Sequence, residues 1–431
     1  MKNLESSYPV KGEITNHTLY HIALLVFISI LVLNGTFFRV RPIEELPTID
    51  WLTLTQVIAC FLGFVIGVIM ILKSHARFGF GSMVLLLFLT ATGISAVSSP
   101  YPTIVIGYVI LLLGASVLVF GLVQSAPDIK SLELIERVWF FTVAVCVIKD
   151  AITSFILPDP QVGGEAVRLG MNTTHANQIS LLATLVFWLS FRQKKLNFIM
   201  WFLRVAMIFV LFGAIGRIAI LAFLLAGFCY FFLKSKDYIK KSIIILVCLS
   251  SIIFALLICF LNPRFSNPFV SYAKRGQTQS EMASLTGRIS IWKQALKQIP
   301  ESPIIGHGYG VTRFTLKPYS WDYQPSHCHN EFLEALFSIG FLGLIPLVCM
   351  YIYNVKWINS FSRLREIFSA DLALHASCVV IILLVSAFFE VRISVRLIQY
   401  QPLFFFYLLM LDREKQVAFI KKRIFQQGDR E

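Results

Sequence analysis

The chain has 431 residues, of which 57% are hydrophobic and 14% charged, with 39 Phe and a formal net charge of +14. That balance excludes a soluble globular domain and defines a polytopic helical membrane protein whose surroundings are phospholipid. The positive charge is spread over many short links between apolar runs, which argues against a nucleic-acid partner.

Apolar runs long enough to cross about 30 Å of hydrocarbon fall near 17–38, 51–72, 78–98, 102–124, 134–157, 176–191, 197–213, 216–233, 242–261, 331–353, 372–390 and 394–411. They lack the period-two alternation of a barrel strand, so the expected fold is all-α with about twelve transmembrane helices. The first run is followed by Arg39-Val40-Arg41-Pro42 and no small-residue cleavage site, and reads as a retained helix. The eight cysteines are scattered without metal-ligand spacing.

Lys and Arg gather in alternate links: Lys73/Arg77, Arg192/Lys194/Lys195, Lys234/Lys236/Lys240/Lys241, Lys356/Arg363/Arg365 and Lys421-Lys422-Arg423. The positive-inside rule then puts both termini in the cytoplasm. The expected organisation is a membrane domain 1–261 with spans one to nine, an external loop 262–330, a membrane domain 331–411 with spans ten to twelve, and a basic tail 412–431. On this topology Arg168, His175, Arg217, Arg288, His327, His329, Glu390, Arg392 and Arg396 collect at the outer side, with Lys149 and Asp150 pointing the same way. Charges are costly in a span unless paired or facing water, so their grouping suggests an outward-opening polar chamber. Lys149-Asp150 and Glu390-Arg392 read equally well as ion pairs.

In the long loop, Ile289, Trp292, Leu296 and Ile299 recur at helical spacing before Pro300 and Pro303, which predicts an amphipathic helix lying on the membrane or over the chamber. Thr286 is the expected N-cap, placing Arg288 in the first turn, where an anion would relieve the clash of a cation with the helix dipole. A phosphate suits the guanidinium fork, and a loop carbonyl is the alternative partner. His307, within Gly306-His307-Gly308-Tyr309-Gly310, reads as structural. His327 and His329 precede a helix opened by Asn330, with Glu331 and Glu334 in its first turn; either glutamate is a candidate to orient a histidine. A neutral imidazole beside arginines can accept a proton. Metal is not expected, because His-x-His shows no third ligand in sequence and arginines oppose a divalent cation. Cys328 is expected to be reachable from outside.

Together, Thr286-Gly287-Arg288, the Trp292 helix, Ser302-Pro303, His329-Asn330-Glu331 and Gly340-Phe341-Leu342-Gly343-Leu344 resemble the bacterial O-antigen ligase and polymerase superfamily. The resemblance implies that Arg217, Arg288 and His329 are the catalytic set, with Gly216-Arg217 standing where the family has Ser-Arg. It also implies donor or acceptor binding by Arg168, His175, His327, Arg392 and Arg396, with Asn330 and Glu331 orienting. The implied reaction is glycosyl transfer from an undecaprenyl-diphosphate-linked glycan to a sugar hydroxyl of lipid A-core, on the periplasmic face of the bacterial inner membrane, without metal or other cofactor. Polymerisation onto a second lipid-linked glycan is the alternative, and a lipid-linked glycan transporter is the reading from another class.

Overall fold

The computed structural model describes residues 13–35, 50–74, 78–156, 169, 176–193, 197–235, 237, 239–246, 287–317, 325–395, 397–414 and 417–418. Among the described residues the regular structure is entirely helical. The main helices are α1 (Glu13–Gly35), α2 (Trp51–Lys73), α3 (Phe80–Ile94), α4 (Pro102–Ser125), α5 (Ile129–Ile156) and α6 (Ala176–Ser190). They continue as α7 (Asn197–Gly213), α8 (Arg217–Lys234), α9 (Arg288–Gln298), α10 (Glu331–Asn354), α11 (Ala370–Ala387) and α12 (Tyr400–Asp412). A helix stands at every expected span except the ninth, 242–261, most of which lies outside the described residues. Seven of them, α1, α2, α4, α5, α8, α10 and α11, are long and apolar enough to cross a membrane. The protein is therefore an all-α, multi-pass membrane protein.

Local chemistry sets where these helices begin. Asp50 accepts the Thr53 amide at 2.7 Å, Ser369 the Leu372 amide at 3.1 Å, and Pro102 opens α4 where its missing N–H costs nothing. Asp412, at the end of α12, accepts the Gly81 and Ser82 amides at 2.8 and 2.6 Å and so caps α3 from 330 residues away. α2 and α4 approach closely through small residues: a Cβ on Gly67 or Gly114 would run into the backbone of the facing helix. Trp51, Phe61, Leu72, Phe198, Phe209 and Leu224 stand exposed on the outer faces, the belt that lipid covers.

The two ends of the bundle differ in chemistry. At one end Arg192 pairs with Glu133 at 2.6 Å and with Glu136, Arg204 donates to Ser190, and Arg413 donates to the Val123 and Ala126 carbonyls. Arg204 also lies over the Phe191 ring, as a snorkelling arginine does. At the opposite end the starts of α6, α8, α10 and α12 meet the ends of α3 and α11 around the loop helix α9, joined by polar contacts described below.

Two expectations about elements are corrected. The run 394–411 is not helical from its start, and α11 stops at Ala387: the described residues 388–395 and 397–399 are irregular and buried apart from Phe388, Phe389 and Val395, and α12 begins at Tyr400. The cause is non-local, because Glu331 supplies the acceptors for the amides of Arg392, Ile393 and Ser394. The stripe that α9 buries is Ile291, Ala295, Gln298 and Ile299, whereas Leu296 is 58% exposed. Ala295 and Ile291 pack with Phe337 and Cys328, so the small side chain sets the close face. The same packing overturns the expected accessibility of Cys328, which is fully buried.

Candidate active site

α10 is the base on which the polar end is built. It is broken at Gly340, whose φ of 64° suits glycine, and a Cβ there would meet the Ile304 carbonyl. The break frees the Phe337 and Ser338 carbonyls, which accept from the His307 and Gly308 amides at 3.0 and 2.8 Å. The Pro303 and Ile304 carbonyls in turn accept the Phe341 and Leu342 amides at 2.9 and 3.0 Å. The glycine turn is thus stitched to a helix break. His307 is structural there, its Nε2 3.1 Å from the Gln298 carbonyl and its ring 4.6 Å from that of Phe337. Gly306 and Tyr309 carry the contact onward to the end of α3: Ser98 donates to the Gly306 carbonyl at 2.5 Å and Tyr309 N–H to Ser95 at 3.0 Å.

The histidine loop is fixed from both sides. The Cys328 amide donates to Glu334 at 2.7 Å and its carbonyl accepts the Trp292 indole at 2.8 Å, tying α9 to the residue before His329. Asn330 caps α10 by accepting the Leu333 amide at 2.9 Å, and donates to the Phe388 carbonyl at 2.9 Å. Between these anchors His329 adopts φ 50°, a left-handed conformation that histidine tolerates better than most residues. Its amide donates to Nδ1 of His327 at 3.1 Å and the two rings lie 4.1 Å apart.

His329 Nδ1 then faces Oε2 of Glu390 at 3.4 Å. Glu390 Oε1 accepts Nη2 of Arg288 and Nδ2 of Asn177, each at 2.7 Å. One buried carboxylate therefore joins the start of α9, the start of α6 and the histidine loop. Burial pushes this carboxyl up, but His329, Arg392 and Arg288 outweigh it and hold the group well below the ordinary carboxylate range. Arg392 lies just beyond, its guanidinium 5.0 Å from the Tyr400 ring; it is buried, and its Nε has no hydrogen-bond partner. Among the described residues no carboxylate stands within ion-pair distance of Arg392, so the expected Glu390–Arg392 pair gives way to Glu390–Arg288. Lys149 and Asp150 do pair, at 3.3 Å.

Arg217 opens α8. Gly216 packs so closely on Ser180 that a Cβ at 216 would meet its hydroxyl. Ser180 lies one helical turn after Asn177, so α6 presents Glu390 and the start of α8 with neighbouring contacts. Leu169 N–H donates to the Gly213 carbonyl at 3.2 Å, bringing the chain beside position 168 to the same turn. Arg168, His175, Arg396 and the expected cap Thr286 lie outside the described residues; the N-cap of α9 is Gly287 at φ 79°.

Glu331 does not contact His329. Its carboxylate accepts the Arg392, Ile393 and Ser394 amides and the Ser394 hydroxyl, and shapes the segment that carries Glu390. Glu334 is likewise occupied, by Thr312 and Cys328. The residue that meets the histidine is Glu390, which the sequence placed among the outer charges or in an ion pair with Arg392 but not on a histidine; its signal was an acid alone in an apolar run, with Arg392 and Arg396 nearby. Glu390 also supplies the third ligand that His327 and His329 lacked in sequence, the three ligand atoms lying within 4.8 Å of one another. Arg288 on the same carboxylate sets a full positive charge against a divalent cation there.

A histidine, a guanidinium and a carboxylate are thus assembled at one end of a multi-pass helical bundle, an arrangement suited to polar chemistry at a membrane face. Residues 202–348 match the O-antigen ligase family model. The chain is similar to the exopolysaccharide production protein ExoQ of Rhizobium meliloti, 32% identical over 98 residues, which is 21% of each chain. It is also 27% identical over 145 residues to an uncharacterised protein of Haemophilus influenzae, 29% of this chain and 35% of that one. These matches span about a fifth to a third of the relatives' lengths. The likeness to the O-antigen ligase family thus lies in residues 202–348 of this chain.

Proposed function

We propose that the protein is an O-antigen ligase that moves a glycan from undecaprenyl diphosphate to a sugar hydroxyl of lipid A-core. The observation that carries this reading is the shared carboxylate: Glu390 holds both a histidine able to take a proton and an arginine able to take a phosphate. With Nδ1 of His329 directed at Glu390, Nε2 is the nitrogen left to accept a proton. In the transfer step the acceptor oxygen bonds to the anomeric carbon as its proton passes to His329 Nε2. The bond from that carbon to the diphosphate oxygen breaks, and its electron pair leaves on the diphosphate. Arg288 and Arg217 neutralise the charge that grows there. Attack opposite the leaving group inverts the sugar carbon, and the step is metal-independent because the guanidinium groups serve where a cation would.

In this reading the site faces the periplasm from the bacterial inner membrane, with both termini cytoplasmic. The basic end of the bundle, with Arg192, Arg204 and Arg413, supports that orientation. About twelve spans, the division at 262 and 331, and donor or acceptor contacts from Arg168, His175, His327, Arg392 and Arg396 belong to the same proposal. Polymerisation onto a second lipid-linked glycan is the second reading, favoured by the likeness to a protein named for exopolysaccharide production. Purified protein given a defined undecaprenyl-diphosphate glycan, with lipid A-core and a second lipid-linked glycan as competing acceptors, separates them. Product on lipid A-core supports ligation, and extension of the lipid-linked chain replaces it with polymerisation. Movement of the glycan across a vesicle membrane without either product overturns both.

A further inference from the structure

The division of labour on Glu390 is uneven. Its Oε1 carries two short contacts, to Arg288 and Asn177 at 2.7 Å, whereas its Oε2 meets His329 at 3.4 Å, longer than an ordinary N–H···O bond. The strong partner of the carboxylate is the arginine, and the histidine is held loosely. We propose that Glu390 is a counter-ion exchanged on donor binding: Arg288 leaves it for the donor diphosphate, and the released carboxylate closes on His329 and sets it as the base. This inference rests on the glycosyl-transfer reading and assigns Glu390 a positioning role within it.

The surroundings suit such an exchange. Arg288 is the rim partner, its side chain 15% exposed against 4% for Glu390, so a ligand reaches the guanidinium before the carboxylate. The backbone carrying Arg288 is tied to the histidine loop through Trp292 and Cys328, so the side chain can turn outward while the two stay in register. Asn177, from α6, keeps hold of Oε1 when Arg288 departs. Arg392 stands behind as a buried guanidinium with no carboxylate of its own among the described residues, and keeps the released carboxylate ionised. Donor arrival and base preparation thereby become one event, and a hydroxyl is activated only when there is a sugar to receive it. Water is then a poorer acceptor in the donor-free site.

The consequence is a pair of opposed effects that a purely structural carboxylate would not give. Glu390 competes with the donor for Arg288, so Glu390→Gln should bind undecaprenyl diphosphate more tightly, by about fivefold if the lost competitor is an ordinary partly screened pair. The same variant should transfer more slowly, on the order of 10²-fold, because the amide cannot hold the histidine in its proton-accepting form. Glu390→Asp keeps the charge and retreats by one methylene, and should show both movements at smaller size should the Gln variant fail to insert. In Arg288→Gln, adding Glu390→Gln should leave diphosphate binding unchanged, since nothing remains to be released. The experiment measures undecaprenyl diphosphate binding and single-turnover transfer on full-length protein in nanodiscs. Tighter binding with slower transfer supports the exchange. Weaker binding and slower transfer in proportion overturn it while wild-type transfer leaves the enzyme reading standing. If wild type transfers nothing, the enzyme reading fails, and the proposed preparation of the base fails with it.

Discussion

Glu331 offers a test of how the site is built, because its carboxylate is fully buried and spends all its acceptors on one stretch of chain. Oε2 takes the Arg392 and Ile393 amides, and Oε1 takes the Ser394 amide at 2.7 Å and its hydroxyl at 2.5 Å. In Glu331→Gln the amide oxygen can keep one pair of donors, while its NH₂ faces the other backbone N–H. The hydroxyl can turn to accept, but the amide proton cannot. Losing the charge weakens each retained bond by about 1 kcal/mol, and orphaning a buried N–H costs about 1–3 kcal/mol, which sums to roughly 3–5 kcal/mol. The expected result is a lower thermal midpoint in detergent, with donor binding and transfer falling together as Arg392, Ile393 and Ser394 lose their mould. A Glu331→Gln protein with wild-type melting, or with transfer lost and stability kept, would refute the assignment of Glu331 to the scaffold.

Three further outcomes follow from the geometry. Gly340→Ala forces a Cβ into the Ile304 carbonyl at φ 64°, so it should destabilise by about 2 kcal/mol or more and loosen the glycine turn; a melting point equal to wild type would count against the break in α10. Cys328 is buried and its thiol is pushed well up, first by burial and then by Glu334, so a membrane-impermeant maleimide should leave it unlabelled in intact cells and label it after denaturation; rapid labelling of the folded protein would contradict the α9–α10 packing. Because Glu390 titrates below its unfolded value of about 4.3, the stability it contributes is present above that pH and lost as pH falls through the lower folded value. The stability gap between wild type and Glu390→Gln should therefore be flat near neutrality and close only in acid, and a gap that closes between pH 7 and 5 would exclude an ionised Glu390 clamp.

Much of the frame was legible because helix-forming information in a membrane protein is local. Runs of about twenty apolar residues gave spans, and Asn330 before Glu331 gave a helix start that the structure shows as a side-chain cap. What was not legible depends on distant partners. Residues 394–399 read as the start of a span because nothing nearby in sequence announces that Glu331, some 60 positions earlier, holds the amides of Arg392, Ile393 and Ser394. The face of α9 was misplaced because large apolar residues mark the lipid-facing side as readily as the packed side, and it is Ala295 that permits close approach to α10. Glu331 and Glu334 were named as partners of a histidine by proximity in sequence, whereas the left-handed turn at His329 aims its ring across to Glu390, 61 residues away.

Whether His329, held by Glu390, activates the attacking hydroxyl is decided by separating binding from chemistry in one variant. His329→Ala, inserted and folded in nanodiscs, should bind the undecaprenyl-diphosphate glycan within about threefold of wild type, since Arg217 and Arg288 remain. Its single-turnover transfer to lipid A-core should fall by roughly 10²- to 10⁴-fold, with His327→Ala much milder. Undiminished transfer by His329→Ala, or loss confined to His327→Ala, would contradict that activation.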